Sequence, residues 1–432
     1  MGWSFAVVAA MVLVFSAVSR RLELSVVSAA MFFVSGGLVF GTDGLDWIHL
    51  RAGGHEIRTL AEITLTLVLF ADASRIDLGV VRREVALPAR LLGIGLPLTI
   101  LAGLAAGVAV LGGLGWPEAF VLAVILAPTD AALGQAVVTD RRLPSRIRQG
   151  LNIESGLNDG ICVPVLFIAL AIAGAEKGSL SASHALRLVV EQIGYGLLGG
   201  LAAGVAAAGV VVLAWPRGLI DRSWLQIVPV AAAALAYGIA VPLGGSGFIA
   251  AFTAGIAFGA LHRSTGGEVN YLLDQLGELA SAATFLVFGA AIAAPVLAGL
   301  TWSTSVYAVL SLTVIRIVPV AFSLVGSRAR APTIAFVGWF GPRGLASIVF
   351  VVLTVEGSSL PHANTIVVAV VATITLSVYA HGISARPLTD RYARWFRSHP
   401  DDRRPPMESV HAPEQRWRRP VAEPVADTPR HR

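Results

Sequence analysis

What most constrains this chain is a succession of uninterrupted apolar stretches, many of them as long as the roughly 18 to 20 residues that carry a helix across about 30 Å of hydrocarbon. A soluble fold has no use for so many. Lipid as the solvent also accounts for the composition, 55% hydrophobic and only 14% charged, where soluble domains carry roughly 25% charged residues. The first stretch, Trp3 to Val18 ahead of Arg20 and Arg21, competes with a signal-peptide reading. No cleavage-like site precedes a soluble domain, so it is taken as the first helix.

Reading apolar runs bounded by charge and turn residues predicts spans near 3–19, 24–41, 57–73, 87–113, 116–138, 147–174, 185–215, 224–243, 247–261, 274–297, 302–326, 331–355 and 363–384. The expected fold is therefore an all-α polytopic membrane protein of about thirteen helices. Cytoplasmic loops should hold the excess of basic residues. With the N-terminus outside, the cytoplasmic side receives Arg20, Arg21, Arg75, Arg82, Arg83, Arg90, Arg141, Arg142, Arg146, Arg148, Arg217, Arg222, Arg263, Arg328 and Arg330. The other side receives Arg51, Arg58, Lys177 and Arg187. An odd number of spans then leaves the C-terminus in the cytoplasm. Residues 1–386 form the expected transmembrane unit. From Pro387 the chain turns rich in Pro, Arg, Asp and Glu, and 387–432 reads as a disordered cytoplasmic tail.

The formal charge of +5 sits in short loops and in the tail, so it serves topology and excludes a nucleic acid partner. Cys162 is the single cysteine. It excludes a disulfide framework or a cysteine metal site and reads as a small packing residue. Arginine-dominated basic content with abundant Ala, Gly and Val hints at a GC-rich bacterial genome, and the expected location is the bacterial inner membrane.

An ionised side chain at the bilayer centre costs roughly 2.5 to 3.5 kcal/mol, so such residues need partners or water and mark a pathway. Here they are Asp72, Asp130, Glu154, Asp159, Arg316 and Arg343. Span five reads A-P-T-D around Pro128, Thr129 and Asp130. Proline removes a backbone donor and clashes with the carbonyl four residues back, so the helix should break and free carbonyls there. Carbonyls, a hydroxyl and a carboxylate at one depth offer hard oxygen ligands to a small cation. The competing reading is a packing kink with a hydrogen-bonded aspartate. In span six, Glu154 and Asn158 are four apart, as are Ser155 and Asp159, so two polar stripes share one face.

Arg316 lies mid-span and needs a buried anion, for which Glu154 is the expected partner. Span twelve is interrupted by Gly341, Pro342 and Gly344 around Arg343. Broken helices seven spans apart run in opposite directions, the pattern of inverted repeats whose breaks meet at the midplane. Asp72 has two readings, lining the cytoplasmic approach or capping span three beside Arg75. His262 and His381 fall at predicted helix ends, as surface histidines. Glu278 is expected at the interface, and Gly199, Gly200 and Gly204 are expected to permit close packing.

The A-P-T-D of 127–130, the E-S-G-L-N-D-G of 154–160 and the G-P-R-G of 341–344 resemble the monovalent cation/proton antiporters, nearest the bacterial sodium/proton exchangers of the Asn-Asp type. The resemblance implies a dimerisation domain beside a six-helix core, with broken helices five and twelve crossing next to helix six. It also implies ligand roles for Thr129, Asp130, Ser155 and Asp159, structural roles for Asn158 and Arg343, a Glu154–Arg316 pair, and a homodimer. Two departures stand out: Asp72 follows Phe70-Ala71 where many relatives have Phe-Glu, and Pro342 replaces the leucine of Gly-Leu-Arg-Gly.

The expected function is exchange of Na⁺ or Li⁺ for H⁺ by competition at Asp159, with no cofactor. K⁺/H⁺ exchange is the alternative within the family. Electrogenic relatives resemble a scheme of paired aspartates with a membrane lysine; Asn158 before Asp159, and a single lysine in a loop, imply electroneutral exchange. An intramembrane aspartyl protease is the remote alternative. Its Tyr-Asp and Gly-x-Gly-Asp motifs match neither Thr129-Asp130 nor Asn158-Asp159.

Overall fold

In a computed structural model of the chain, the described residues are 2–23, 25–49, 54–76, 86–130, 132–176, 182–262, 269–357, 360–399 and 405–410. They contain helices and no strand. Thirteen apolar elements follow one another: α1 Gly2–Glu23, α2 Ala29–Phe40 and α3 His55–Arg75, then α4 Ala86–Val110. α5 is split into Trp116–Ile125 and Gln135–Val138, α6 is Ser145–Glu176 and α7 Ala182–Ala214. α8 is Val228–Leu243, α9 Gly247–Leu261, α10 Tyr271–Leu297 and α11 Trp302–Ser323. α12 is split into Ala331–Trp339 and Leu345–Gly357, and α13 is Ala363–Arg397. The count and the order agree with the apolar pattern. Of the residues behind the charge count, Arg51, Arg82, Arg83, Lys177 and Arg263 lie outside the described residues.

Packing sorts the elements into two groups. α3 packs on α9 and α10, α7 on α8 and α9, and α2 on α10; α4 packs on α5 and α11, α5 on α6, and α11 on α13. α6 and the second half of α12 join the groups through α3. Small residues let backbones close up where polar glue is absent. A Cβ on Gly200 would stand 2.3 Å from the Ala250 carbonyl oxygen, and one on Gly204 2.5 Å from that of Ala254. These glycines hold α7 against α9, as their clustering predicts. Cys162 is buried, and Glu278 is exposed.

Both breaks have local causes. In α5 the ring of Pro128 cannot continue a helix, and it biases the residue before it toward extended backbone. The helix accordingly stops at Ile125. In α12 two glycines and Pro342 do the same after Trp339. α11 bends at Thr313 (φ −112°, ψ −93°), one turn before Arg316.

Two sequence expectations are corrected. α13 passes through Pro387 and ends at Arg397, so the tail does not begin at residue 387; Met407 and Glu408 are also buried. Residues 411–432 lie outside the described residues. His262 and His381 are each 1% exposed and are not surface histidines: His262 caps the end of α9, His381 lies inside α13 because that helix runs on to Arg397, and the ring nitrogens of both meet backbone carbonyls. The His262 Nδ1 lies 2.7 Å from the Phe258 carbonyl oxygen.

Candidate functional site

The two breaks meet. The Asp130 amide donates to the Pro342 carbonyl at 2.8 Å, the Ser347 hydroxyl donates to the Ile125 carbonyl at 2.7 Å, and Arg343 Nη1 donates to the carbonyls of Ala127 and Pro128 at 2.8 and 3.2 Å. Partners rise along one segment as they fall along the other, so the segments cross antiparallel. Every one of these bonds satisfies a backbone group that a continuous helix would have paired internally. The carbonyls of Ala127 and Pro128, left without helical partners at the break, are held by Arg343.

Asp130 is a backbone cap. Its Oδ1 accepts from the amides of Ala132 and Leu133 at 2.8 and 3.3 Å, and its Oδ2 accepts from the amide of Leu345 at 2.8 Å. One carboxylate thus faces the first residue of the second half of α12, where exposed N–H groups and the helix dipole favour negative charge, and the turn that leads into the second half of α5. The motif glycines of span twelve make the fit possible. A Cβ at Gly344 would lie 2.1 Å from Asp130 Oδ2, and one at Gly341 2.4 Å from Arg316 Nε.

On α6, Glu154 Oε1 is 2.6 Å from Arg316 Nη1, and both side chains are 2% exposed, which is the pairing expected from sequence. Asn158 Nδ2 donates to Thr129 Oγ1 at 2.6 Å, and Thr129 and Ser155 share a hydroxyl hydrogen bond of 3.1 Å. Asp159 is 8% exposed. Its Oδ1 is buried and meets no donor among the described residues, as is true of Asn158 Oδ1.

Of the two sequence readings of Asp72, the structure shows the partnership with Arg75, at 3.1 Å; Arg75 also reaches Asp274 of α10. A Cβ on Gly156 of α6 would lie 3.6 Å from the Asp72 Cβ, less than one turn before Asp159. Sequence reasoning missed Ser347, Ser377 and His381. The Arg343 amide donates to Ser377 Oγ at 2.7 Å, and His381 Nε2 lies 2.9 Å from the Trp339 carbonyl oxygen. The available signal was two polar residues four apart in an otherwise apolar span.

Arg316 pairs with Glu154. By formal charge the two arginines Arg316 and Arg343 stand against three acids, Glu154, Asp130 and Asp159, so one acid is in surplus; Asp159 is the one whose buried oxygen meets no donor among the described residues. No group of three or more His, Cys, Asp and Glu side chains gathers as for a resident metal among the described residues. A surplus carboxylate one turn from two bonded hydroxyls offers one hard-oxygen position that a proton or a monovalent cation could occupy.

A family model described as the transmembrane sodium/hydrogen exchanger matches residues 7–391. The chain belongs to the sodium/hydrogen exchanger family. It is a multi-pass membrane protein of that family's helical fold. It is 27% identical to the K⁺/H⁺ antiporter NhaP2 of Shewanella sp. strain MR-4 over 288 residues, 66% of this chain and 48% of that protein. It is 27% identical to the K⁺/H⁺ antiporter NhaP of Alkalimonas amylolytica over 374 residues, 85% of this chain and 62% of that protein. The chain thus spans about half to three fifths of the length of these relatives. The sodium proton antiporter MjNhaP1 of Methanocaldococcus jannaschii shares the fold with a TM-score of 0.74 at 21% identity, covering 88% of this chain and 98% of that one.

Proposed function

We propose that this chain exchanges a monovalent cation for a proton across the membrane, one for one, and that Asp159 is the group for which the two compete. The observation that carries the reading is the Asp159 Oδ1, buried and without a donor among the described residues, one turn along α6 from Ser155, whose hydroxyl bonds Thr129 at the crossing of two broken helices. An ionised carboxylate in such a place is costly, and either a proton or a bound cation relieves the cost. Occupancy by either brings the sum over Arg316, Arg343, Glu154, Asp130 and Asp159 to zero. The core then carries a neutral load whichever ion it holds, and no cofactor enters the cycle.

Asp130 serves this site as the cap that holds both breaks, with Thr129 and Ser155 supplying hydroxyl oxygens and Asn158 fixing Thr129. Asp72 lines the cytoplasmic approach. Na⁺ or Li⁺ is the proposed cargo, since the position offers few oxygens in a tight crossing. The names of the bacterial relatives favour a second reading, K⁺ as cargo. The N-terminus is placed outside and the C-terminus in the cytoplasm, and two copies form a dimer through the α1–α3 and α7–α10 group.

Fluorescence dequenching in everted vesicles, with Na⁺, Li⁺ and K⁺ added separately across pH, tests both activity and cargo. Dequenching by Na⁺ and Li⁺ alone supports the first reading, and dequenching by K⁺ replaces it with the second. No response to any of the three, from protein shown to be folded, removes the exchanger. Peptide cleavage by the purified protein would revive the protease alternative.

A further inference from the structure

In an unbroken α-helix the amide of residue 343 would donate to the carbonyl of residue 339, four positions back. The break of α12 removes that bond: the Arg343 amide is left in the buried interior, where an unmatched N–H is costly, while the carbonyl of the half-buried Trp339 accepts the Gly341 amide at 2.8 Å and keeps a second lone pair for a further donor. The two groups are joined instead through α13. The Arg343 amide donates to Ser377 Oγ at 2.7 Å. Ser377 Oγ lies 3.2 Å from His381 Nδ1, and His381 Nε2 lies 2.9 Å from the Trp339 carbonyl oxygen. Ser377 and His381 are four apart on one helix, so they share a face, and both are essentially buried, at 0% and 1% exposure.

The chain of bonds has one consistent direction. A carbonyl only accepts, so Nε2 must carry the proton it gives to Trp339. Nδ1 also lies 3.0 Å from the Ser377 carbonyl, but donating there as well would require an imidazolium, whose charge would stand close to Arg343 and Arg316. The neutral ring with Nε2–H therefore accepts at Nδ1 from the Ser377 hydroxyl, which in turn accepts the Arg343 amide. Trp339 is held a second time, through its indole N–H to Ser384 Oγ at 2.9 Å, and its ring leans on that of His381 with centroids 5.0 Å apart.

We infer that Ser377 and His381 are positioning residues for the ion site: they carry, by side chains of α13, the helical hydrogen bond that α12 gave up, and so hold its break open at a fixed width. The inference rests on the exchanger reading for its link to transport. That link is short. The backbone held by Ser377 belongs to Arg343, whose guanidinium holds the carbonyls of Ala127 and Pro128, and the next residue is Thr129, whose hydroxyl faces Ser155. Losing the relay should loosen the site before it unfolds the protein.

The test uses the full-length protein in proteoliposomes with the cation that drives exchange in the parent. His381→Phe, which keeps a ring against Trp339, and Ser377→Ala should each raise the apparent KM for the cation about tenfold, the factor carried by one buried hydrogen bond. His381→Gln, whose amide can donate to Trp339 and accept from Ser377, should stay within about twofold of the parent on the same scale. The double variant should be no worse than the worse single, because both cut one relay. A merely structural role would lower the amount of folded protein and leave KM unchanged. Unchanged KM in His381→Phe, failure of Gln to rescue, or additive singles would overturn the inference. Independently of transport, ¹⁵N-histidine spectra assigned by difference from His381→Gln should show a neutral ring protonated at Nε2. A ring protonated at Nδ1 alone, or charged, overturns the relay even if exchange is normal, whereas a parent that moves no cation overturns only the exchanger.

Discussion

At the residue scale, Asp130 and Asp159 differ in what surrounds the same functional group. Asp130 has backbone donors on both oxygens, whereas one oxygen of Asp159 meets none among the described residues. Asp159→Asn should abolish cation-driven proton movement while leaving the thermal midpoint in detergent near that of the parent. Retained exchange would move the chemistry to another group. Asp130→Asn should instead act on the fold: an amide nitrogen placed toward the Leu345 or Ala132 amide loses a cap, costing about 1 to 2 kcal/mol. Gly344→Ala forces a methyl against Asp130 Oδ2, which lies 2.1 Å from the Cβ position. A comparable overpacking costs about 1 to 3 kcal/mol, readable as a lowered midpoint. Gly112, with nothing within 4 Å of its Cβ position, is the matching control, and Gly112→Ala should be neutral.

At the element scale, a broken helix has ends that need partners, and this molecule draws them from elsewhere in the chain. The start of α12 shows it again. Arg330 holds the N-cap position without a side-chain cap of its own, and Glu408, 78 residues later, accepts the Arg330 amide at 3.0 Å and the Thr333 hydroxyl. Glu408→Ala should cost about 1 kcal/mol, the worth of an N-cap, and lower the thermal midpoint with the cation affinity unchanged. The Glu154–Arg316 bridge ties α6 to α11. Removing either partner leaves a buried charge, at about 3 to 5 kcal/mol, while the double variant Glu154→Ala/Arg316→Ala should be far less damaged than the sum. Strict additivity in denaturation or thermal melts would remove the coupling.

At the scale of the whole molecule, two helix groups meet along α3, α6 and the second half of α12, and the residues proposed to compete for ions lie near that seam. The formal charges around Asp159, which sum to zero when it is occupied, predict an exchange rate that does not respond to an imposed membrane potential in proteoliposomes. Acceleration by potential would mean that more than one proton crosses per cation. α13 reaches Arg397, and the stretch 405–410 returns to its side, with the Met407 carbonyl accepting from Arg146 at the start of α6. This end of the molecule is therefore built partly from residues whose composition reads as a tail.

Read alone, the amino-acid order determined the solvent, the number of crossings, the places where α5 and α12 break, and the acids and hydroxyls that gather there. Those properties are local, set by hydrocarbon thickness and by what proline does to its own backbone. The Glu154–Arg316 pair was also legible, because a buried arginine must find one of very few anions. Only the tertiary structure decided which aspartate is a cap and which is open, that Arg343 occupies the carbonyls freed by Pro128, and that His381 and Glu408 are buried partners. Each of those outcomes depends on a donor or acceptor brought from a distant segment, as with Leu345 and Asp130, 215 positions apart, and no periodicity within either segment encodes its partner.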